Sequence, residues 1–457
     1  MKTIFLFLKN NLFISDLLKT NYIKYLSEKY RVVIFSNTIS LESVQAGEYF
    51  SSSNVEYISW RVQNPKLFAI FKFLRMACMH ELDYLPSMEI YYNSQPFRRD
   101  KRARLLRFLS WPLAPLLTID FFTKLEIIFT RQTDLFKKYC QKYKPALVVT
   151  ATPGIQVFDA EAIILAKKFG IPALATNFSW DNLTAFKAVR LRKPDYIFVW
   201  NKIIQEAALI VHHFPPERVY ITGSVRFDKY FDDSHSIIDR YEFLRSKNLD
   251  PNKKTILFAT VASGNCPYQL MVLQAILRAR HVGELPRVNI LVRLHPFDRP
   301  ENYRDLQNEP DFHLERAGRE VKIQSGESRI EMDQADFINL KSTLAHTDIN
   351  INYKSTISLE SFIFDKPVIN FIDPTAPFQN NYYYKEGSYY YPLVKEGAVI
   401  VAADNTELIK TINTYLANPK IGSANRQKIA HSFFAFQDGL AYKRNVDFLE
   451  KIIKHDA

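Results

Sequence analysis

Cysteine is scarce. Cys78, Cys140 and Cys266 are the only three in 457 residues, too scattered for a disulfide framework or a thiolate metal site. Their scarcity points to a reducing, cytoplasmic setting. Long apolar runs are also missing. Thr3–Leu8 looks briefly like the core of a signal peptide, but it breaks at Lys9-Asn10-Asn11 and no small-residue cleavage site follows. It is expected to be a buried strand. Trp111–Phe129 is interrupted by Asp120, Lys124 and Glu126 and fails as a membrane span. The turn after the first strand, Lys9–Ser15, contains no glycine, which excludes a dinucleotide-binding fingerprint there. No zinc-ligand set or nucleic-acid motif accompanies the net charge of +12. The positive balance therefore points to nucleotides, a phospholipid surface or a phosphorylated acceptor, and not to nucleic acid. Internal repeats and low-complexity segments are absent too.

What is present describes a globular protein of two or three domains, with 47% hydrophobic and 24% charged residues. Thr3–Leu8 and Arg31–Phe35 flank a helical pattern at Ile14, Leu17, Leu18, Ile23 and Leu26, the opening of a β-α-β unit. Val55–Ser59 is a third strand. Residues 63–144 turn helical, which reads as an insertion. Strand runs resume at Ala146–Thr150, Pro172–Thr176, Tyr196–Trp200 and Val219–Thr222. Arg226-Phe227-Asp228 and the polar stretch Asp232–Ser236 then read as a hinge, in which Asp232-Asp233 has no further metal ligands around it. A second series follows, with runs at Thr255–Thr260, Val288–Leu294, Val321–Ile323, Asp348–Asn352, Val368–Phe371 and Val399–Val401. The expected organisation is a first α/β domain over 1–228, a hinge over 229–250, a second α/β domain over 251–417 and closing helices over 418–457.

Chemistry-bearing residues gather where these strands end, the edge at which α/β proteins keep their sites. After Asp348–Asn352, Ser355 and Thr356 stand where a helix should begin, as caps for its first turn. Thr356 and Glu360 share a helix face about 6 Å apart along the axis, a spacing that suits phosphate on the hydroxyls and a ribose diol on the carboxylate. Arg293 and His295 end another strand and could hold a diphosphate as charge builds up; a structural ion pair at Arg293 is the plainer reading. Ser263 and Gly264 lie in a loop able to approach a ligand through its backbone. In the loop 177–184, Trp180, Asp181, Asn182 and Thr184 exceed what a turn requires. Six tyrosines between Tyr382 and Tyr391 could stack on a base or sugar, or simply pack a loop. Arg98, Arg99, Lys101, Arg102, Arg104 and Arg107, against a lone Asp100, form the most basic patch. Two readings fit it: contact with anionic lipid, or a solvated helix leading into a core-packed Leu105–Trp111 segment.

Several short pieces carry a resemblance: SWDNLT at Ser179–Thr184, VWN at Val199–Asn201, TGSVRFD at Thr222–Asp228, RLHP at Arg293–Pro296, STISLE with KPVI between Ser355 and Ile369, and DGLAYKR at Asp438–Arg444. Their order and spacing resemble GT-B fold glycosyltransferases of bacterial surface-polysaccharide biosynthesis, related to the CDP-glycerol glycerophosphotransferases. The resemblance implies two Rossmann-like domains facing across a cleft, a helical insertion in the first, and a C-terminal helix with Asp438 and Arg444 crossing back to brace it. It implies no cofactor and no metal, with a nucleotide-activated sugar as co-substrate. Ser355 and Thr356 would meet the donor phosphates, Glu360 the ribose, and Arg293 and His295 the departing phosphate. Asp181 is the first candidate general base, with Asp16 behind it. The acceptor would be a polysaccharide or a lipid-linked acceptor at the inner membrane face. Transfer of glycerol phosphate from CDP-glycerol, epimerisation of a nucleotide sugar and a silent carbohydrate-assembly role are the alternatives. Where relatives follow SWDNLT with a basic-glycine pair, this chain has Ala185-Phe186. The first third resembles no known family.

Overall fold

The computed structural model describes residues 1–9, 11–39, 44–45, 47–131, 134–232, 236–322, 328–376 and 382–455. Each sheet forms because short, nearly unbroken apolar runs bury both faces, the pattern of parallel strands covered by helices on either side. β1 (Thr3–Phe7), β2 (Arg31–Ser36), β3 (Val55–Ser59), β4 (Pro145–Thr150), β5 (Ala173–Ala175), β6 (Tyr196–Val199) and β7 (Val219–Ile221) pair in the order β3-β2-β1-β4-β5-β6-β7, all parallel. Along β1 the side chains alternate: Ile4 and Leu6 enter one core with Val32 and Val149, while Phe5 and Phe7 enter the opposite core with Val33, Phe35 and Trp60.

The second sheet joins β8 (Thr255–Ala259), β9 (Asn289–Leu294), β10 (Phe312–Arg316), β13 (Ile349–Asn352), β14 (Val368–Phe371) and β15 (Val399–Ala402) in the order β10-β9-β8-β13-β14-β15, again parallel. Between them lies a small antiparallel hairpin of β11 (Arg319–Lys322) and β12 (Ser328–Glu331). The strand expected at Val321–Ile323 falls on this hairpin, with Ile323 outside the described residues, and β10 is a strand the sequence pattern did not reveal. In both sheets the chain winds outward, returns and winds the other way. Each therefore has a switch point, between β1 and β4 and between β8 and β13, where a crevice opens beyond the strand ends.

The segment between β3 and β4 is helical, at Pro65–Cys78, Pro86–Asn93, Gln95–Arg99, Lys101–Ser110, Ile119–Phe129 and Asp134–Tyr143. Arg75 and Glu126, both fully buried, fasten it to the first domain: Glu126 also accepts from Arg192 at 2.8 and 2.5 Å, and Arg75 donates to the Leu191 carbonyl. The helix Ala441–His455 returns to the first domain, where Val446, Leu449 and Ile452 cover Ile4 and Leu6.

The stretch read as a hinge begins with the helix Val225–Phe231, whose Phe227, Asp228, Lys229 and Tyr230 are buried. It is a packed joint rather than a solvated linker. The Asp228 carboxylate accepts from the amides of Ala441 and Tyr442 at the start of the returning helix. Residues 233–235, including Asp233, lie outside the described residues.

Candidate functional site

On the second domain the site is built from the loops after β8, β9, β13 and β14. The helix Ile357–Ile363 follows β13 as expected, but Thr356 at its N-cap makes no side-chain capping bond. Asn352 takes over instead: its Oδ1 accepts from the Ser355 amide at 3.0 Å and from the Ser358 hydroxyl at 3.2 Å. Ser355 and Thr356 are half-buried, and their hydroxyls make no hydrogen bond among the described residues, which leaves them for a ligand. Ser263 donates to Asp298 at 2.9 Å, and Asp298 also accepts from Gln269 and from the Tyr303 hydroxyl at 2.8 Å. This buried carboxylate ties the β8 and β9 loops together. At Gly264 no protein atom lies within 4 Å of where a Cβ would stand, so its backbone can be approached.

His295 accepts the Phe297 amide on Nδ1, so the neutral ring carries its proton on Nε2. Burial pushes its pKa down, which keeps that neutral form. Arg293 takes the plainer of its two readings. It is buried, and Nη1 meets Glu315 at 2.5 Å, while Glu315 is also held by Lys247. Its Nη2 is buried with no partner among the described residues.

Glu360 is not solvated. It is buried and accepts from Arg226 of the joint helix at 3.0 Å. Asp16, from the first domain, lies in the same group, 3.7 Å from Lys229, and burial raises its pKa. Asp16, Arg226, Lys229 and Glu360 thus form a charge-balanced cluster across the domain boundary, in which Asp16 pairs with Lys229.

The other side of the cleft is the loop 177–184, which leaves β5 through Asn177 at φ 34°. Asn182 is buried and donates to Asn177, and His212 fixes the Leu183 carbonyl at 2.7 Å. The Thr184 hydroxyl is buried without a partner among the described residues. Asp181 accepts from Ser179 at 2.5 Å and pairs with Lys187 at 2.7 Å. Trp180 is buried, not displayed. Its ring meets Tyr389 at 4.9 Å, Phe433 at 5.3 Å and Tyr390 at 5.6 Å, pinning the two domains together. Burial and then the Asp181 charge push the Tyr383 hydroxyl up to about 12, so Asp181 faces the tyrosine loop.

Sequence reasoning singled out neither Asp298 nor Arg226 for the site, and it passed over Lys354. Lys354 stands two residues past β13 at φ 41°, and its signal was the lysine in NYKST, directly before the hydroxyl pair.

The surface of the insertion differs from the core-packed expectation. Leu105, Phe108, Leu109, Trp111, Leu113 and Leu116 are exposed, Phe108 by 77% and Trp111 by 72%. Arg98, Arg99, Lys101, Arg102 and Arg104 stand exposed beside them, whereas Arg107 pairs with Asp83 and stacks on Tyr92. No helix among the described residues is long and apolar enough to cross a membrane. Among the same residues no group of three or more His, Cys, Asp or Glu could hold a metal ion.

The sequence profile of the family described as CDP-Glycerol:Poly(glycerophosphate) glycerophosphotransferase matches residues 149–451, well over half of the chain. No curated protein sequence matches. Among solved structures, S. aureus MnaA with UDP is similar at 13% identity and a TM-score of 0.55, covering 99% of this chain and 97% of its own. UDP-GlcNAc 2-epimerase from Neisseria meningitidis, bound to UDP-GlcNAc, has 12% identity and a TM-score of 0.53, covering 99% and 100%. The wall teichoic acid polymerase TagF, soaked with CDPG, has 14% identity and a TM-score of 0.51, covering 99% and 89%. At these identities the likeness is one of fold: two doubly wound domains in the GT-B arrangement.

Proposed function

Because this chain belongs to the CDP-glycerol:poly(glycerophosphate) glycerophosphotransferase family, we propose that it moves a nucleotide-activated group onto a cell-envelope polymer or lipid-linked acceptor. It is a transferase. The first donor to consider is CDP-glycerol, with glycerol phosphate as the transferred group. A nucleotide sugar is the second reading, favoured by the Ala185-Phe186 that follows SWDNLT and by a first third of the chain that the family profile does not match.

The carrying observation is the switch point between β8 and β13, where the loops carry the hydroxyls of Ser355 and Thr356, without a partner among the described residues, and the open backbone at Gly264. In this reading Ser355 and Thr356 bind the donor phosphates, and Nε2–H of His295 donates to the departing phosphate without a metal. Asp181, its partner Lys187 moving aside, takes the proton of the attacking acceptor hydroxyl. Glu360 meets the ribose once Arg226 releases it, and Arg293 steadies the β9 end from its pair with Glu315. The acceptor side belongs to the first domain, with work at the inner face of the membrane, held there by the insertion.

Thermal shift with CDP-glycerol and a panel of nucleotide sugars tests the donor. Stabilisation by CDP-glycerol alone supports the first reading, by one nucleotide sugar alone the second, and by none of them sinks both. Product analysis with a nucleotide sugar and no acceptor should show no epimer. Asp181→Asn should cut turnover by about 10²–10⁴-fold while leaving donor binding intact.

A further inference from the structure

Lys354 is placed as few lysines are. It lies two residues past the end of β13, the strand that borders the switch point of the second sheet and pairs with β8. Its backbone has φ 41°, a left-handed conformation that a non-glycine residue rarely adopts. The side chain is half-buried between two rings: Nζ stands 3.7 Å from the centre of the Tyr383 ring and 4.4 Å from that of Tyr353, and donates to the Tyr353 hydroxyl at 3.2 Å. No carboxylate pairs with it among the described residues. Asp373, two residues past β14, has a charge that reaches the amine but already accepts from the Thr375 amide and hydroxyl and from the Cys266 thiol. The charge of Asp181 reaches Tyr383, the ring that Lys354 stands over. An amine with no carboxylate partner among the described residues, on a left-handed backbone directly before the hydroxyls of Ser355 and Thr356, is a cation site waiting for its anion.

We propose that Lys354 is the residue that grips the donor phosphate, and that it acquires its charge when the phosphate arrives. Desolvation holds the free amine at a pKa of about 7. The diphosphate supplies the missing counter-charge, so the amine takes one proton from solvent and becomes the ammonium; no other bond changes. The left-handed backbone fixes Nζ between the rings, and the phosphate meets a pre-positioned donor. Affinity for the donor should then fall as pH rises above 7. This inference rests on the reading that a nucleotide-activated donor enters the crevice.

Calorimetric titration of the full chain with CDP-glycerol and with UDP-N-acetylglucosamine tests it, because neither diphosphate titrates between pH 6 and 8.5. Wild type should bind at least one of them with an affinity that falls over this range and with a heat that depends on the ionisation enthalpy of the buffer. Lys354→Met should bind about ten- to a hundredfold more weakly, with no proton uptake. Lys354→Arg should keep most of the affinity on a flat pH profile. If Lys354→Met matches wild type in affinity and slope, the role of Lys354 is overturned while the transferase reading stands. If wild type binds neither nucleotide at any pH, that reading falls and this one with it. Should the methionine variant not fold, a Lys354→Arg variant that keeps the wild-type slope overturns the proposal by itself.

Discussion

Asp159 and His212 sit buried in the first domain and titrate in opposite directions. Burial raises the Asp159 carboxyl to about 7, with the Thr152 hydroxyl as its partner and Oδ1 unpartnered among the described residues. A folded pKa above the unfolded one means stability fully present below about pH 4 and lost as pH rises through 7. Burial lowers His212 to about 4, so its contribution is present above about pH 6.5 and lost as pH falls through 4. The two offset each other in wild type, and a difference measurement separates them. The melting temperature of Asp159→Asn minus that of wild type should grow by on the order of 5 °C between pH 4 and 8; a difference that stays flat would remove Asp159 from the argument. Residues of this kind are the least legible in sequence. Glu360 was legible by its spacing from Thr356, but its Arg226 partner is 134 positions away. The environment of Lys354 depends on Tyr383, which only the fold brings over it.

The insertion shows how an element is held. One carboxylate, Glu126, serves two buried guanidinium groups, those of Arg75 and Arg192. Glu126→Ala leaves two uncompensated cations in the interior and should cost about 3–5 kcal/mol of unfolding free energy, measured by denaturant titration; a loss below about 1 kcal/mol would mean the pairs contribute little. At this scale the sequence was more readable. Buried parallel strands are nearly continuous apolar runs, so β1, β4, β8 and β14 stand out. β10 does not, because FHLER carries three polar residues and one of them, Glu315, pairs with Arg293 and Lys247. The single helical pattern from Ile14 to Leu26 is two helices, Asn11–Leu18 and Asn21–Lys29, because the Thr20 side chain accepts from the Tyr22 amide and starts a second one. The insertion misled in the other direction: apolar residues expected in a core lie on the surface.

That surface matters to the molecule as a whole. An exposed apolar ridge flanked by five exposed basic side chains matches the two terms that draw a protein onto an anionic bilayer, buried apolar area and attraction to headgroups. Co-sedimentation should show binding to vesicles rich in phosphatidylglycerol, weak binding to phosphatidylcholine alone, and a drop of about tenfold or more for the Phe108→Ser, Trp111→Ser double variant. Equal binding to both vesicle types, or an unaffected double variant, would discard the docking face. The returning helix Ala441–His455 carries a different implication, one of timing. Ile4 and Leu6 are made long before part of their cover, Val446, Leu449 and Ile452. During synthesis the helices Asn11–Leu18 and Asn21–Lys29 can join that core early, but the part that the last helix covers stays open while more than four hundred residues follow. Pairings this distant close slowly and leave apolar surface open in the interval. The nascent chain is a natural client for a chaperone, and a chain stopped before residue 441 would keep both strand sets yet should accumulate as aggregate rather than as a smaller enzyme.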